Sequence, residues 1–480
     1  MAEAATVKVR VDGEYELRQS FLTALPLAPY AGGPAHLEQT SRLFHWLRVR
    51  PLALFGEHWE LRGELDLPRG MIYGVVPDGI PDSGSDFDEQ QPVQLHARML
   101  RLTARSNLGE VMLGHTTTTH GLGLVDDDGD APRWFGTPER PSTFERVQLT
   151  SGTPSSALRV GLSGDLAFED ERLALVDGDR KWRVSLSARY APGRRAHLSI
   201  LARYEALQAK GERGGARSFL FDAAGGFRTA LPGRAGELFG AYEAAYRVGD
   251  ASEPVALALA QSNGDVAVEE LAFAARVGVA LERVENYLRY AHLVVALEWG
   301  MASGDADVVD DEQHRFVMNP NHGVGLLLFS ELLRFKTSRA QALLEASDPA
   351  GANARSWGLA TRGGVAGASY LYPVVVFRPS ADLSLKAGAV IASSTTEVVD
   401  PAALSARGQR QNYDGGLVSG RSLGTELDVG GELKIPLDPP MELRLSVEAG
   451  VAFPGSAFDD ASGNGLGTQA LTTAGLGLTF

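Results

Sequence analysis

From Glu426 to Leu437 the chain alternates, with Leu427, Val429, Leu433, Ile435 and Leu437 on one face and Glu426, Asp428, Glu432 and Lys434 on the other. An Asp438-Pro439-Pro440 turn follows and the alternation resumes: Met441, Leu443, Leu445, Val447 and Phe453 oppose Glu442, Arg444, Ser446 and Glu448. The last segment sets Ala474, Leu476, Leu478 and the terminal Phe480 against Gly475, Gly477 and Thr479. A period of two puts successive side chains on opposite faces of a sheet. Strands this long, wholly apolar on one face and charged on the other, suit a closed barrel with lipid outside and water inside. A soluble sandwich or lipocalin-like barrel shares the alternation but not the strand length or the aromatic final residue.

The same pattern recurs from Thr6 to Gln19, where Val7, Val9, Val11, Tyr15 and Leu17 oppose Lys8, Arg10, Asp12, Glu14, Glu16 and Arg18. Further strands are expected through Ser41–Leu54, Trp59–Asp66, Val93–Thr103, Gly109–Thr116, Arg146–Ser151, Ser156–Ser163, Trp182–Tyr190, His197–Tyr204, Phe219–Arg228, Glu237–Arg247, Val268–Leu281, Arg289–Met301, Gly325–Phe335, Val365–Phe377 and Leu383–Ile391. The count is about eighteen, with sixteen the alternative, because bacterial barrels close with even numbers. Short turns such as Ala191-Pro192-Gly193 lie at one end. Long connections at 22–39, 68–92 (with the acidic stretch Asp78–Gln91), 117–143, 249–266, 303–322, 338–362, 393–423 and 455–470 lie at the other. The expectation is an all-β, antiparallel transmembrane barrel of the outer-membrane type, one domain over residues 1–480 with long extracellular loops.

At 480 residues with 55 glycines the chain has the length and turn content for such a barrel. There is no cysteine, which removes disulfide frameworks and thiolate metal sites. The formal charge of -15 argues against a nucleic-acid partner. The acidity is clustered in loop segments, Asp126–Asp130 and Asp305–Glu312, while several strands carry arginine. No leader is visible after Met1, and a removed signal peptide is expected for delivery to the outer membrane of a Gram-negative bacterium.

In a water-filled barrel the inward side chains set selectivity. The inward cations are Lys8, Arg10, Arg18, Arg48, Arg50, Arg62, Arg183, Arg189, Arg276, Lys434 and Arg444. They interleave with Glu14, Glu60 and Glu64 and with an acidic wall of Glu426, Asp428, Glu432, Glu442 and Glu448. Most such charges pair across strands and stiffen the wall, since an unpaired buried charge is costly. The sharper alternative is an arginine ladder for an anion. The loop residues His120, Asp126, Asp128, Asp130, Asp305 and Asp307 are candidates for a gate or an ion site, and Ca²⁺ is the hard cation such carboxylates favour. Their spacing completes no EF-hand, so a solvated extracellular loop is the plainer expectation.

Two stretches carry a family resemblance. His120-Gly-Leu-Gly-Leu-Val-Asp-Asp-Asp-Gly-Asp130 with Phe144-Glu-Arg-Val147 resembles a motif of myxobacterial outer-membrane barrels, with His120 in place of a Trp and Glu145 in place of an Asp. Leu423–Asp428 with Phe453–Phe458, and the Ser303-Gly-Asp305 loop edge, resemble alginate-export-type porins. The resemblance implies a passive conduit for an anionic exopolysaccharide, with periplasmic export proteins as partners.

The reading is an outer-membrane channel for a hydrophilic, anionic substrate such as an exopolysaccharide, with a general solute porin as the alternative. Its expected partners are outer-membrane lipid, lipopolysaccharide and, through the strand ending at Phe480, the barrel-assembly machinery. No cofactor is expected. A hydrolase is the weaker alternative: Gly420-Arg421-Ser422-Leu423-Gly424 matches Gly-x-Ser-x-Gly but precedes a strand rather than turning into a helix. An adhesin would instead show a lumen plugged by loops 117–143 and 393–423. Loops 117–143 and 303–322 are the expected constriction.

Overall fold

A strand in lipid must satisfy every backbone N–H and C=O through its neighbours, so a sheet that crosses a bilayer has to close on itself. The computed structural model shows that closure. It describes residues 7–27, 36–37, 39–74, 94–169, 175, 178–208, 215–232, 236–252, 265–282, 292–307, 310–347 and 359–480. The acidic stretch 78–91, and parts of the expected loops at 22–39, 249–266 and 338–362, lie outside the described residues.

Eighteen strands form the wall. They are β1 (Val7–Leu22), β2 (Thr40–Phe55), β3 (Trp59–Tyr73), β4 (Gln94–Arg105), β5 (Gly109–Thr116) and β6 (Thr143–Ser151). Then come β7 (Leu158–Glu169), β8 (Arg180–Tyr190), β9 (Ala196–Gln208), β10 (Gly215–Ala230), β11 (Gly236–Ser252) and β12 (Asp265–Glu282). The last six are β13 (His292–Ala302), β14 (Ala368–Arg378), β15 (Leu383–Ser394), β16 (Ser422–Pro436), β17 (Glu442–Pro454) and β18 (Gln469–Thr479). Each pairs antiparallel with the next, and β18 returns to β1 in the register Glu14↔Thr479 to Leu22↔Leu471.

The two faces separate as the alternation requires. Outward side chains such as Val9, Leu113, Val147, Leu186, Ile200, Phe221, Val429 and Val447 are large, apolar and exposed, forming the belt that meets lipid. Inward charges such as Arg48, Glu64, Asp66, Arg98, Arg183 and Glu243 are buried.

The sequence-derived strand at Gly325–Phe335 is not part of the wall. Leu328–Leu333 make a π-helical turn that runs into helix α1 (Arg334–Ser347). A short apolar run does not distinguish strand from buried helix, and here it enters a core where Leu328 and Phe329 are fully buried. The connection between β13 and β14 is therefore one long insertion, 303–367, rather than two loops. Helix α2 (Pro401–Arg407) in the β15–β16 connection packs on α1, which it meets through Ala402, Ala340 and Leu344.

Closure is locked by a small residue. Gly13 and Phe480 exchange backbone hydrogen bonds of 2.9 and 3.0 Å. A Cβ on Gly13 would lie 2.6 Å from the Arg48 carbonyl oxygen and 2.6 Å from the Phe480 ring. Gly13→Val should cost about 1–3 kcal/mol through overpacking at this seam. The barrel should lose its heat-modifiable band on unboiled gels and unfold at lower urea in vesicles. Wild-type behaviour in both assays would contradict the seam's role.

Candidate channel lumen

Among the described residues, two chain segments fill much of the lumen. Loop 117–142 leaves β5, and its acidic run is gripped on two sides. Asp126 binds Arg203 of β9 and lies 3.4 Å from Arg183 of β8, and Arg183 in turn binds Asp165 at 2.7 Å. Asp130 meets Arg98 of β4 at 3.2 Å and Arg48 of β2 at 3.6 Å. The Asp128 carboxylate accepts the Asp130 amide at 3.0 Å and its carbonyl accepts from Arg98. Burial drives the Asp126 carboxyl up, but the Arg203 and Arg183 guanidiniums outweigh it and hold the acid well below the usual carboxylate range. Burial raises Asp128 and lowers the imidazole of His120, whose Nε2 lies 3.8 Å from Asp222.

The expectation of a solvated extracellular loop fails here. Asp126 and Asp127 are 7% and 5% exposed, and the arginine-rich inner wall draws the carboxylates inward. No group of three His, Asp or Glu in ligand geometry occurs among the described residues. Asp305 accepts the amides of Asp307 at 3.0 Å and His314 at 3.4 Å, and Asp307 is exposed, so this pair shapes the entry to the second segment.

The second segment, 303–367, docks onto the first. The Asn319 amide donates to the Leu124 carbonyl at 2.8 Å, and Arg133 donates to the carbonyls of Asn321 and Pro320 at 2.9 and 2.6 Å. Arg334 at the start of α1 pairs with Glu139 at 2.8 Å. Leu124, Phe135, Phe316, Met318, Leu326 and Phe329 form an apolar core against Leu220, Ala245, Ala272, Tyr370, Val374 and Val390 of the wall. Each large side chain so buried contributes about 1.5–3 kcal/mol. The inner wall is thus uneven: densely charged on β2–β4 and β7–β9, and largely apolar or small on β12–β15, where Glu270, Arg276, Glu298 and Lys386 are charged exceptions.

Among the described residues, space is left on both sides of these segments: about 140 Å³ lies beside Asp126, Arg183, Arg203, Glu205 and Arg247, and a gap lies between the segments and the wall at β1, β2 and β18. This gap is a space of about 80 Å³ faced by Arg18, Arg42, Arg133, Arg334 and Arg362, with Glu139, Glu331 and Glu448 among its acids. Arg133 also lines a vestibule of about 590 Å³ at the short-turn end. There Arg133, Arg194, Arg195, Arg228, Arg276, Arg378 and Lys386 outnumber Glu237 and Glu432, and Trp134 and Phe239 supply apolar surface. Arg276 lies over the Trp134 ring and pairs with Glu298 at 2.6 Å.

The cations expected from the strands divide accordingly. Arg18 and Arg276 line the gap and the vestibule. Arg183 holds Asp126 as above. Arg48 pairs with Asp66 at 2.7 Å, Arg50 with Glu14 at 2.6 Å, Arg62 with Glu60 at 3.1 Å and Arg444 with Glu16 at 3.0 Å. Lys8, Arg10 and Arg189 stand exposed at the short-turn rim, and Arg10 reaches Asp12 at 3.0 Å. Lys434 is 4.0 Å from Glu432 and 3.9 Å from Glu442.

Of the acidic wall, Glu448 pairs with Lys386 and accepts the Gly136 amide at 3.1 Å. Glu426, with Asp428 beside it, faces the loop backbone. The inward residues expected from the sequence leave out Arg98, Arg203 and Glu243, although each falls on the inward parity of an expected strand, and Arg133 and Arg334 lie off the wall strands, where alternation places nothing. A usable signal was present in β14, where Tyr370, Tyr372, Val374 and Val376 make the inward face as apolar as the outward one, the mark of a strand buried on both sides.

The Asp126 clamp sets a pH dependence. Its folded pKa lies below the ordinary 3.8, so the docking energy it supplies is fully present above about pH 4 and is lost only as pH falls through that lower value. Proteolysis of loop 117–142 should therefore stay slow from pH 7 to pH 4 and accelerate in stronger acid. Asp126→Asn leaves Arg183 and Arg203 short of their partner and should cost about 3–5 kcal/mol of loop docking at neutral pH. Equal protease resistance in the variant would contradict the clamp.

No family model matches the chain, and no curated protein matches it. Solved structures do. The outer membrane protein OprD from Pseudomonas aeruginosa aligns over 98% of this chain and 94% of its own, at TM-score 0.51 and 10% identity. OccK8 (OprE) from Pseudomonas aeruginosa aligns over 98% of each chain at TM-score 0.50 and 11% identity. A substituted form of OccD1 (OprD) covers 98% of this chain and 96% of its own at TM-score 0.51 and 10% identity. At such identity the likeness is one of fold, and it lends no support to the alginate-export and myxobacterial exopolysaccharide families. The chain has a closed eighteen-stranded antiparallel barrel, the fold it shares with the outer membrane protein OprD.

Proposed function

We propose that this chain is a passive outer-membrane channel for small hydrophilic solutes, with a preference for anions. The observation that carries the reading is the gap at Arg18, Arg42 and Arg133. Its volume of about 80 Å³ is on the scale of a few water molecules, and Arg133 lines both it and the larger basic vestibule. A polysaccharide moving as an extended chain needs a continuous wide bore, and the two lumen segments occupy that space. The solute-porin alternative therefore fits the geometry better than polymer export. The description of OprD as an outer membrane protein supports the same location here.

The anion preference rests on charge placement. The chain carries a net -15, yet seven lysine and arginine side chains against two glutamates line the vestibule. A cleft of one sign between low-dielectric walls focuses the field and raises the local concentration of the opposite ion. Arginine adds forked donors that fit carboxylate and phosphate.

In a planar bilayer under a salt gradient the reversal potential should show anion selectivity. Replacing both Arg194 and Arg195 by serine at the vestibule mouth should reduce the anion-to-cation permeability ratio roughly twofold at low salt and less at high salt. A cation-selective wild type, or one that passes no current, would overturn the reading.

A further inference from the structure

The lumen segments share a signature. His120-Gly121-Leu122-Gly123-Leu124 in the first recurs as His322-Gly323-Val324-Gly325-Leu326 in the second. All four glycines have positive φ: +57° and +87° at Gly121 and Gly123, +41° and +71° at Gly323 and Gly325. Backbone of this kind turns successive amides toward one point and makes an anion-binding concavity.

In both copies the anion is a glutamate of the barrel wall. Glu243 of β11 accepts the amides of Leu122, Gly123 and Leu124, the last two at 2.8 and 3.0 Å. Glu426 of β16 accepts the amides of Leu326, Leu327 and Leu328, the last two at 2.8 and 2.6 Å. The second grip is set two residues further along the repeat.

The histidine heading each copy also meets a wall carboxylate, His120 beside Asp222 at 3.8 Å and His322 beside Glu298 at 3.1 Å. A side chain does not fit at the grip. A Cβ on Gly121 would lie 2.3 Å from a Glu243 carboxylate oxygen, and one on Gly325 2.7 Å from Glu426.

We propose that these are two copies of one latch, each pinning a lumen segment to the wall through a carboxylate in a backbone nest, and that together they set how far the channel is open. Three amides on one carboxylate are charge-assisted bonds in a site shielded from water, so they hold a loop more firmly than neutral contacts do. The segments also hold each other, since His322 Nδ1 lies 3.0 Å from the Leu122 carbonyl oxygen. Releasing one latch therefore loosens both. The gating rests on the channel reading above, whereas the latch itself can be read without any current.

Amide hydrogen exchange on the native barrel in detergent or nanodiscs is the test. In the wild type, amides 122–124 and 326–328 should exchange as slowly as the wall strands. Exchange as fast as at the exposed turn residue Gly193 would overturn the latch. Glu243→Gln and Glu426→Gln should each speed exchange of the gripped amides by about tenfold or more, leave the strands protected, and raise single-channel conductance severalfold. Gly325→Ala displaces Glu426 without altering the wall, so it tests the same latch should a glutamate variant fail to assemble. Unchanged exchange in these variants would overturn the latch. Faster exchange with unchanged conductance would overturn its role as a gate.

Discussion

Hydrocarbon outside the barrel leaves ionised side chains one place to go, and the rest of the structure follows from how they are accommodated there. The outward positions of the strands are apolar, so arginines, aspartates and glutamates of the wall converge on the lumen. Buried in such numbers they must be paired, because a guanidinium or carboxylate without a partner costs several kcal/mol. The Arg48–Asp66 and Arg183–Asp165 pairs meet that demand within the wall. Asp126 and Asp130 meet it from the loop, which is why loop 117–142 lies inside the barrel rather than above it.

The apolar part of the lumen follows from the same arrangement. Once the loop's carboxylates are fixed to the charged side, Leu124 and Phe135 need an apolar surface, and β12–β15 provide one with alanine, valine and tyrosine. The second segment adds Phe316, Met318 and the Leu326–Phe329 run to that core. Charge pairing on one side and hydrophobic packing on the other hold the segments in place. A gap is left at β1, β2 and β18, beside Arg18 and Arg42.

The barrel was legible in the alternation alone. Period two, strand length, the turn asymmetry and the Phe480 terminus follow from local geometry, and the strands of the closing segment lie where that pattern puts them. The lumen was much less legible. Gly325–Phe335 reads as a strand because a short apolar run carries no periodicity, and its helical course is set by the core it enters. Asp126–Asp130 reads as a solvated loop because nothing local shows that Arg48, Arg98, Arg183 and Arg203, drawn from four strands, surround it. What Arg133 and Glu243 bind is hidden for the same reason: their partners are distant in sequence, as with the 2.9 Å bond from Arg133 to the Asn321 carbonyl.

The central claim is that the two lumen segments, not the width of the barrel, set the size of the channel. Single-channel recording with neutral polymers of graded size in the bath tests it most directly, because a polymer that enters the pore lowers its conductance and an excluded one does not. The account predicts that only the smallest polymers, of mono- or disaccharide dimensions, reduce the current. Entry of polymers several times larger would mean that the segments do not obstruct the bore, and would contradict it.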